Sequence, residues 1–222
     1  TGRQGKQRIV DPCFVSTFEK IDVFTRRVYT AAIQHDYRSY SEVIVLGDGA
    51  QWIRRMRRHC FPRARYVLDW YHLHEKVGRI LRETFPGMRA FRRRWSRHIT
   101  DLLWTGRKDG ALFAVEELRR RWYEDPSLRT PRSDDRAPYH TLDDLITYLR
   151  SNWEGIVQYE DMQESGYLIA SSLVEKAVDL VISKRQKKRQ GMHWSFMGAD
   201  AVAALRTLWL NERWEDYWHK AA

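Results

Sequence analysis

Two aspartates close two short apolar runs, Val43-Ile44-Val45-Leu46-Gly47-Asp48 and Arg65-Tyr66-Val67-Leu68-Asp69. Each run reads as a buried strand that carries a carboxylate to its C-terminal tip, the place where ligands and metals bind in an α/β sheet. Far along the chain, Glu175 borders an apolar stripe made by Leu173, Val174, Ala177, Val178, Val181 and Ile182, which predicts a helix with one core-facing side. A carboxylate at the edge of such a stripe can lean toward the strand tips. If it meets Asp48, the pair suits Mg²⁺ (or Mn²⁺), a hard cation held by carboxylate oxygens and water. Two such ions activate a water or a 3′-hydroxyl and stabilise the leaving oxygen in phosphodiester chemistry. The plainer reading makes Asp48 a turn residue of Gly47-Asp48-Gly49 and Glu175 an exposed helix residue paired with Lys176 or Lys187. Spacing alone leaves both open.

The elements that would position these groups follow from periodicity. Cys13 to Thr17 and Arg26 to Ile33 are rich in β-branched and aromatic residues and read as strands. Between the two aspartate runs, Trp52, Ile53, Met56 and Cys60 recur with helical spacing. After Tyr71 the pattern turns helical: Leu73 to Glu83, Met88 to Trp104 with Pro86 near its start, and Ala111 to Tyr123. Asp125 to Tyr139 reads as a loop, Thr141 with Asp144 as a helix start, and Ser195 as the cap of Phe196 to Leu210. The expected fold class is therefore α/β with an all-α insertion. The expected divisions are residues 1–75, a helical insertion over 76–165, and a Glu-bearing C-terminal part over 166–222.

Composition narrows the partners. The chain has 222 residues, 43% of them hydrophobic, and a formal net charge of +10. Residues 76–122 carry 13 Lys and Arg against 5 Asp and Glu, whereas residues 123–164 carry 4 against 10. A basic body with one acidic segment suits a polyanion, and arginine-rich clusters favour forked contacts to phosphate. Two cysteines, Cys13 and Cys60, make neither a disulfide framework nor a Cys-rich zinc site. No run has the length of a membrane span and no signal peptide is evident, so a cytoplasmic protein is expected. The chain opens on Thr1 rather than methionine and reads as a piece of something longer.

Several blocks carry a resemblance. They are Gly47-Asp48-Gly49-Ala50-Gln51-Trp52-Ile53, Phe61-Pro62-Arg63-Ala64-Arg65-Tyr66-Val67-Leu68-Asp69-Trp70-Tyr71-His72, Ser171-Ser172-Leu173-Val174-Glu175, Arg185 to Ser195, and Gly198-Ala199-Asp200-Ala201 onward through Arg213-Trp214 to Trp218. In this order the sequence resembles the DDE transposases of bacterial insertion sequences, specifically the Kra/Lre-like group of the Mutator-like assembly. The resemblance implies an RNase H-like mixed sheet, with the helical insertion between the second catalytic aspartate and the catalytic glutamate. It implies Mg²⁺-dependent cleavage and transfer of DNA strands at the ends of a mobile element. By that likeness Asp48 is the second acid and Glu175 the third, both catalytic and both metal ligands, with Asp69 and His72 supporting them. The family's first aspartate precedes everything matched here. Asp11 is the only faint candidate for it, so the first strand is expected upstream of Thr1 and the chain alone is expected to be catalytically incomplete.

Electrostatics adds expected DNA contacts at Arg54, Arg55 and Arg58 beside Asp48, and at Lys184, Arg185, Lys187, Lys188 and Arg189 beyond Glu175. His193 and Trp194 are placed to wedge or stack against bases. Arg92 to Arg94 and Arg119 to Arg121 mark the insertion as a second possible DNA surface. The expected partners are double-stranded DNA, at element ends and target, and further copies of the chain. Two other readings stay open: a non-catalytic DNA-binding remnant of a transposase, and an unrelated nuclease of RNase H-like fold.

Overall fold

Residues 43–47 and 65–68 carry the apolar runs that pair as extended chain. A computed structural model describes residues 10–128, 141–187 and 193–221 of the chain. In it Ile44–Gly47 forms β1 and Arg65–Leu68 forms β2, paired parallel with Gly47 opposite Leu68. The Asp69 amide donates to the Gly47 carbonyl at 2.8 Å and continues the ladder past the last strand residue. Parallel strands need a crossover, and helix α2, Gln51–Cys60, supplies it.

Everything else that is regular among the described residues is helical. In chain order the longer helices are α1 (Ile21–Gln34), α3 (Trp70–Thr84), α4 (Arg89–Trp104), α5 (Lys108–Glu124), α6 (Leu142–Ser151), α7 (Tyr159–Glu164), α8 (Ser172–Val178), α9 (Phe196–Leu210) and α10 (Trp214–Ala221). A π-helical segment, Asp179–Lys187, follows α8 directly. The expected RNase H-like mixed sheet is therefore wrong: the described residues hold one two-stranded sheet in a predominantly helical chain.

Both expected strands of the first third are overturned for physical reasons. Arg26 to Ile33 is part of α1, along which the half-buried positions Phe24, Val28, Ala31 and Ala32 recur with helical period. Periodic burial outweighs the strand preference of Val28, Thr30 and Ile33. Cys13 to Thr17 has no strand partner among the described residues. Its backbone is held by side chains of the C-terminal helices instead: Phe14 N donates to Asn211 Oδ1 at 2.8 Å, and Asn211 Nδ2 returns a bond to Phe14 O at 2.9 Å.

The chain divides into two compact units. One comprises residues up to Val43, Arg58–Pro62 and Ser172–Ala222; the other comprises Ile44–Arg57 and Arg63–Ser171. The second contains the main core, where Leu73, Val77, Ile80 and Leu81 of α3 meet Ile99 and Leu103 of α4, Val115 and Leu118 of α5, and Leu145 and Leu149 of α6. These positions repeat every three or four residues, which is what an amphipathic helix requires. Local signals set the ends: Thr141 and Asp144 form a complete capping box on α6, and Gly106 follows α4 with φ of 72°. In the first unit Tyr29, Tyr37 and the buried Phe61 pack edge to face, and the Tyr37 hydroxyl donates to Cys60 O at 3.2 Å.

Candidate functional site at the strand tips

The aspartates at the two strand tips have different surroundings. Asp48 is exposed. Its Oδ1 accepts from the Ala50 amide at 2.9 Å, a local turn that leads into α2, and its Oδ2 has no partner among the described residues. Gly49 makes this turn possible, since its φ of 94° is a conformation side chains rarely adopt. A Cβ there would also stand 2.9 Å from Asn152 Oδ1.

Asp69, by contrast, is fully buried. Its Oδ1 accepts from the His72 amide at 2.9 Å, capping α3, and its Oδ2 accepts from the Ser171 amide. Both oxygens serve the backbone. His72 contributes that amide while lying on the exposed side of α3.

Three residues that sequence spacing did not single out gather around Asp48. The Tyr148 hydroxyl donates to the Asp48 carbonyl at 3.3 Å. Asn152, 2% exposed, donates through Nδ2 to Tyr148 O at 2.9 Å. Tyr66, also 2% exposed, has a hydroxyl that lies toward the Gly49 amide without a well-formed hydrogen bond among the described residues. Burial pushes the Tyr148 phenol well above its ordinary value, and the nearby Tyr66, Asp48 and Asp69 push it the same way against Arg54. Burial likewise raises Tyr66, with Arg54 opposing and Asp48 reinforcing. Both phenols are therefore neutral donors at ordinary pH. No local signal marks Tyr148, because its contact with Asp48 spans 100 residues.

The arginines of α2 separate by role. Arg54 is half-buried, and its Nη1 donates to Ser151 O and, at 2.7 Å, to Asn152 Oδ1. Arg57 donates to Ala64 O at 2.6 Å and pairs with Glu154 at 3.1 Å. Arg55 and Arg58 are exposed.

Glu175 is exposed on α8 and belongs to the other compact unit from Asp48. In the stripe beside it, Val181 is 5% exposed, yet Val174 and Val178 are 57% and 42% exposed. Only part of the expected stripe faces inward. Lys184 is exposed, and His193 and Trp194 lie at the surface ahead of α9, where the Ser195 hydroxyl accepts from Gly198 N. Arg185 and Lys187 belong to the π-helical segment; Lys188 and Arg189 lie outside the described residues. In neither unit do three described His, Cys, Asp or Glu side chains converge as a metal site. No described helix is long and apolar enough to cross a membrane.

The strand-tip region can thus offer one available carboxylate, two neutral phenols and a buried amide, held by a packed helical body. Comparison with known proteins gives a family without an assigned chemistry. No curated protein and no solved structure matches the chain. The pattern of the uncharacterised protein family UPF0236 matches residues 17–214. That span covers both strand tips, α8 and all of α9, and the chain belongs to this family.

Proposed function

We propose that the chain is the DNA-handling body of a transposase of the insertion-sequence type, in which Asp48 and Glu175 are the carboxylates used for phosphodiester cleavage and strand transfer. The observation that carries this reading is the availability of Asp48. It stands exposed at the tip of a parallel strand, with Oδ2 unpartnered among the described residues, inside the block Gly47 to Ile53 that resembles the DDE transposases. The net charge of +10 supports a polyanionic substrate.

The donor chemistry fits Mg²⁺ or Mn²⁺, which bind through one or two carboxylates and retain water. By the resemblance to the DDE transposases Asp48 and Glu175 are the carboxylates for such an ion, which would supply activation of a water or 3′-hydroxyl nucleophile. The protein's own residues do the rest. Gly49 and the Ala50 amide fix the direction of Asp48, and the neutral Tyr148 phenol donates to the Asp48 carbonyl. Exposed Arg55, Arg58, Lys184, His193 and Trp194 are the described candidates for holding DNA.

One observation favours a second reading, DNA binding without catalysis. Asp69 is consumed as a buried cap, so the strand tips alone offer a single available carboxylate. The test uses the protein expressed from its full reading frame, so that any upstream aspartate is supplied, with labelled duplexes tiled across the DNA that flanks the coding sequence, and Mg²⁺ or Mn²⁺. The transposase reading expects cleavage that Asp48→Ala and Glu175→Ala abolish while leaving duplex binding intact. Cleavage that survives both substitutions overturns the assignment. Binding that is steeply salt-dependent, indifferent to Mg²⁺ and never accompanied by cleavage establishes the second reading.

A further inference from the structure

Arginine is abundant on both α4 and α5, but the structure treats the two helices differently. On α5, four basic residues accompany four acidic ones, and the arginines are neutralised. Arg119 pairs with Asp143 at 2.6 Å, Arg120 with Glu117 and Glu124 at 2.8 and 2.5 Å, and Arg121 with Glu117 at 2.8 Å. Arg121 also lies 5.6 Å from the centre of the Trp95 ring. Arg150 of α6 is likewise paired, with Glu116 at 2.7 Å.

On α4, five arginines face a single acid, Asp101. Arg92 turns inward and donates to Phe85 O at 3.1 Å. Arg89, Arg93, Arg94 and Arg97 are exposed, and none forms an ion pair among the described residues. Positions 89, 93 and 97 recur every four residues and so lie along one side of the helix. The apolar residues of α4 point the other way, with Phe91 and Trp95 packed against the core that contains Ile99 and Leu103. Like charges one turn apart repel, and the one acid of the row, Asp101, exposed a turn beyond Arg97, forms no ion pair among the described residues.

We propose that this outward side of α4 is a contact surface for the phosphate backbone of double-stranded DNA. The choice of DNA rests on the function proposed above; the surface itself uses neither Asp48 nor Glu175. Arginine forks match phosphate oxygens in pairs, and a row of them neutralises successive phosphates without reading bases. A lipid surface fits less well. An interfacial helix needs large apolar side chains beside its basic face, and on α4 Phe91 and Trp95 are committed to the core.

The test measures binding of the full chain to a fluorescein-labelled duplex of random sequence, by anisotropy over a range of NaCl concentrations. The combined variant Arg93→Gln/Arg94→Gln/Arg97→Gln should flatten the slope of log K against log salt by about 2 to 3, near 0.9 for each phosphate that is no longer neutralised. Single Arg93→Gln and Arg97→Gln variants should each flatten it by about 0.9, which keeps the test decisive if the triple variant folds poorly. The reference Arg119→Gln/Asp143→Asn removes one self-contained ion pair and should leave the slope unchanged. An unchanged slope in α4 variants of native helicity overturns the proposal, as does wild-type binding to phosphatidylserine vesicles that the duplex cannot displace. If Asp48→Ala abolishes cleavage but α4 variants bind normally, only the surface is wrong. If α4 variants lose slope and no cleavage is ever found, the surface stands and the catalytic reading falls.

Discussion

The Ser171 amide donates to Asp69 Oδ2 across 102 residues of sequence, and the same carboxylate caps α3 through the His72 amide. Asp69 thus ties the tip of β2 to the segment that precedes α8. That role is architectural, and it separates Asp69 from Asp48.

Asp69→Ala should therefore destabilise the protein by about 2 to 4 kcal/mol. Loss of a helix cap costs about 1 kcal/mol, and an unsatisfied, half-buried amide at Ser171 about 1 to 3 kcal/mol more. Asp48→Ala removes an exposed group and should stay within about 0.5 kcal/mol of wild type. Urea unfolding at neutral pH reads both, and equal losses would mean that the two roles are misassigned.

Tyr66 and Tyr159 make a matched pair for a second test. The Tyr159 hydroxyl is buried and donates to Leu68 O at 2.9 Å, whereas the Tyr66 hydroxyl is buried without a well-formed hydrogen bond among the described residues. Removing a satisfied hydroxyl leaves the Leu68 carbonyl unpaired, so Tyr159→Phe should cost about 1 to 3 kcal/mol. Tyr66→Phe removes the orphan itself and should be neutral or stabilising. A large loss for Tyr66→Phe would show that its hydroxyl has a partner in solution.

The same phenols set an alkaline limit. Burial raises Tyr66, Tyr148 and Tyr159 above the ordinary tyrosine value of about 10. A group whose folded pKa is raised keeps its full contribution below the unfolded value and loses it as pH climbs toward the folded one. Stability from these groups should be flat up to about pH 10 and should fall above it. Tyr148→Phe should make the fall shallower in urea unfolding measured from pH 8 upward. A fall of unchanged steepness would mean that Tyr148 does not set the limit.

Arg54 and Arg58 test whether neighbouring arginines on one helix divide between architecture and binding. Arg54→Gln should destabilise by about 1 to 3 kcal/mol, because the Ser151 carbonyl and the buried Asn152 lose their donor. It should leave the salt slope of DNA binding unchanged once corrected for the folded fraction. Arg58→Gln should do the reverse, flattening the slope by about 0.9 with little change in stability. If Arg54→Gln flattens the slope, its side chain leaves Asn152 to meet DNA.

How far the sequence revealed all this depended on the range of the interactions. Helices α3 to α6 were legible because Leu73, Val77, Ile80 and Leu81, and then Leu142, Leu145, Ile146 and Leu149, keep helical period, and Thr141 with Asp144 marks a start. The two strands were legible as apolar runs. Residues 13–17 were misread because the groups that fix them, Asn211 and Asp200, come from the far end of the chain. The larger sheet rested on the β-branched runs at 13–17 and 26–33 as well as on the resemblance, and neither run forms a strand. Asp69 before an apolar helix is itself an N-cap signal, but its place at a strand tip and the likeness to the DDE transposases pointed toward chemistry. Tyr148 and Asn152 gave no signal, since only folding brings them to Asp48.

Two glycines with similar backbones isolate how tightly the Asp48 turn is packed. Gly49 has φ of 94° and Gly87 has φ of 80°, so alanine is strained at either. At Gly87 a new Cβ meets nothing within 4 Å, and Gly87→Ala should cost only the backbone term, about 1 to 2 kcal/mol. At Gly49 the Cβ also meets Asn152 Oδ1 at 2.9 Å and Leu68 Cδ1 at 3.1 Å. Asn152 cannot easily give way, because its Oδ1 accepts from Arg54 and its Nδ2 donates to Tyr148 O. Gly49→Ala should therefore cost more than Gly87→Ala by about 1 to 3 kcal/mol, the range for overpacking. Because the shift is transmitted through Asn152 to Tyr148, it should also disturb the environment of Asp48, readable as a change in cleavage beyond the loss of folded protein. Equal costs for the two substitutions would mean that the turn around Asp48 is loose and that Asn152 does not confine it.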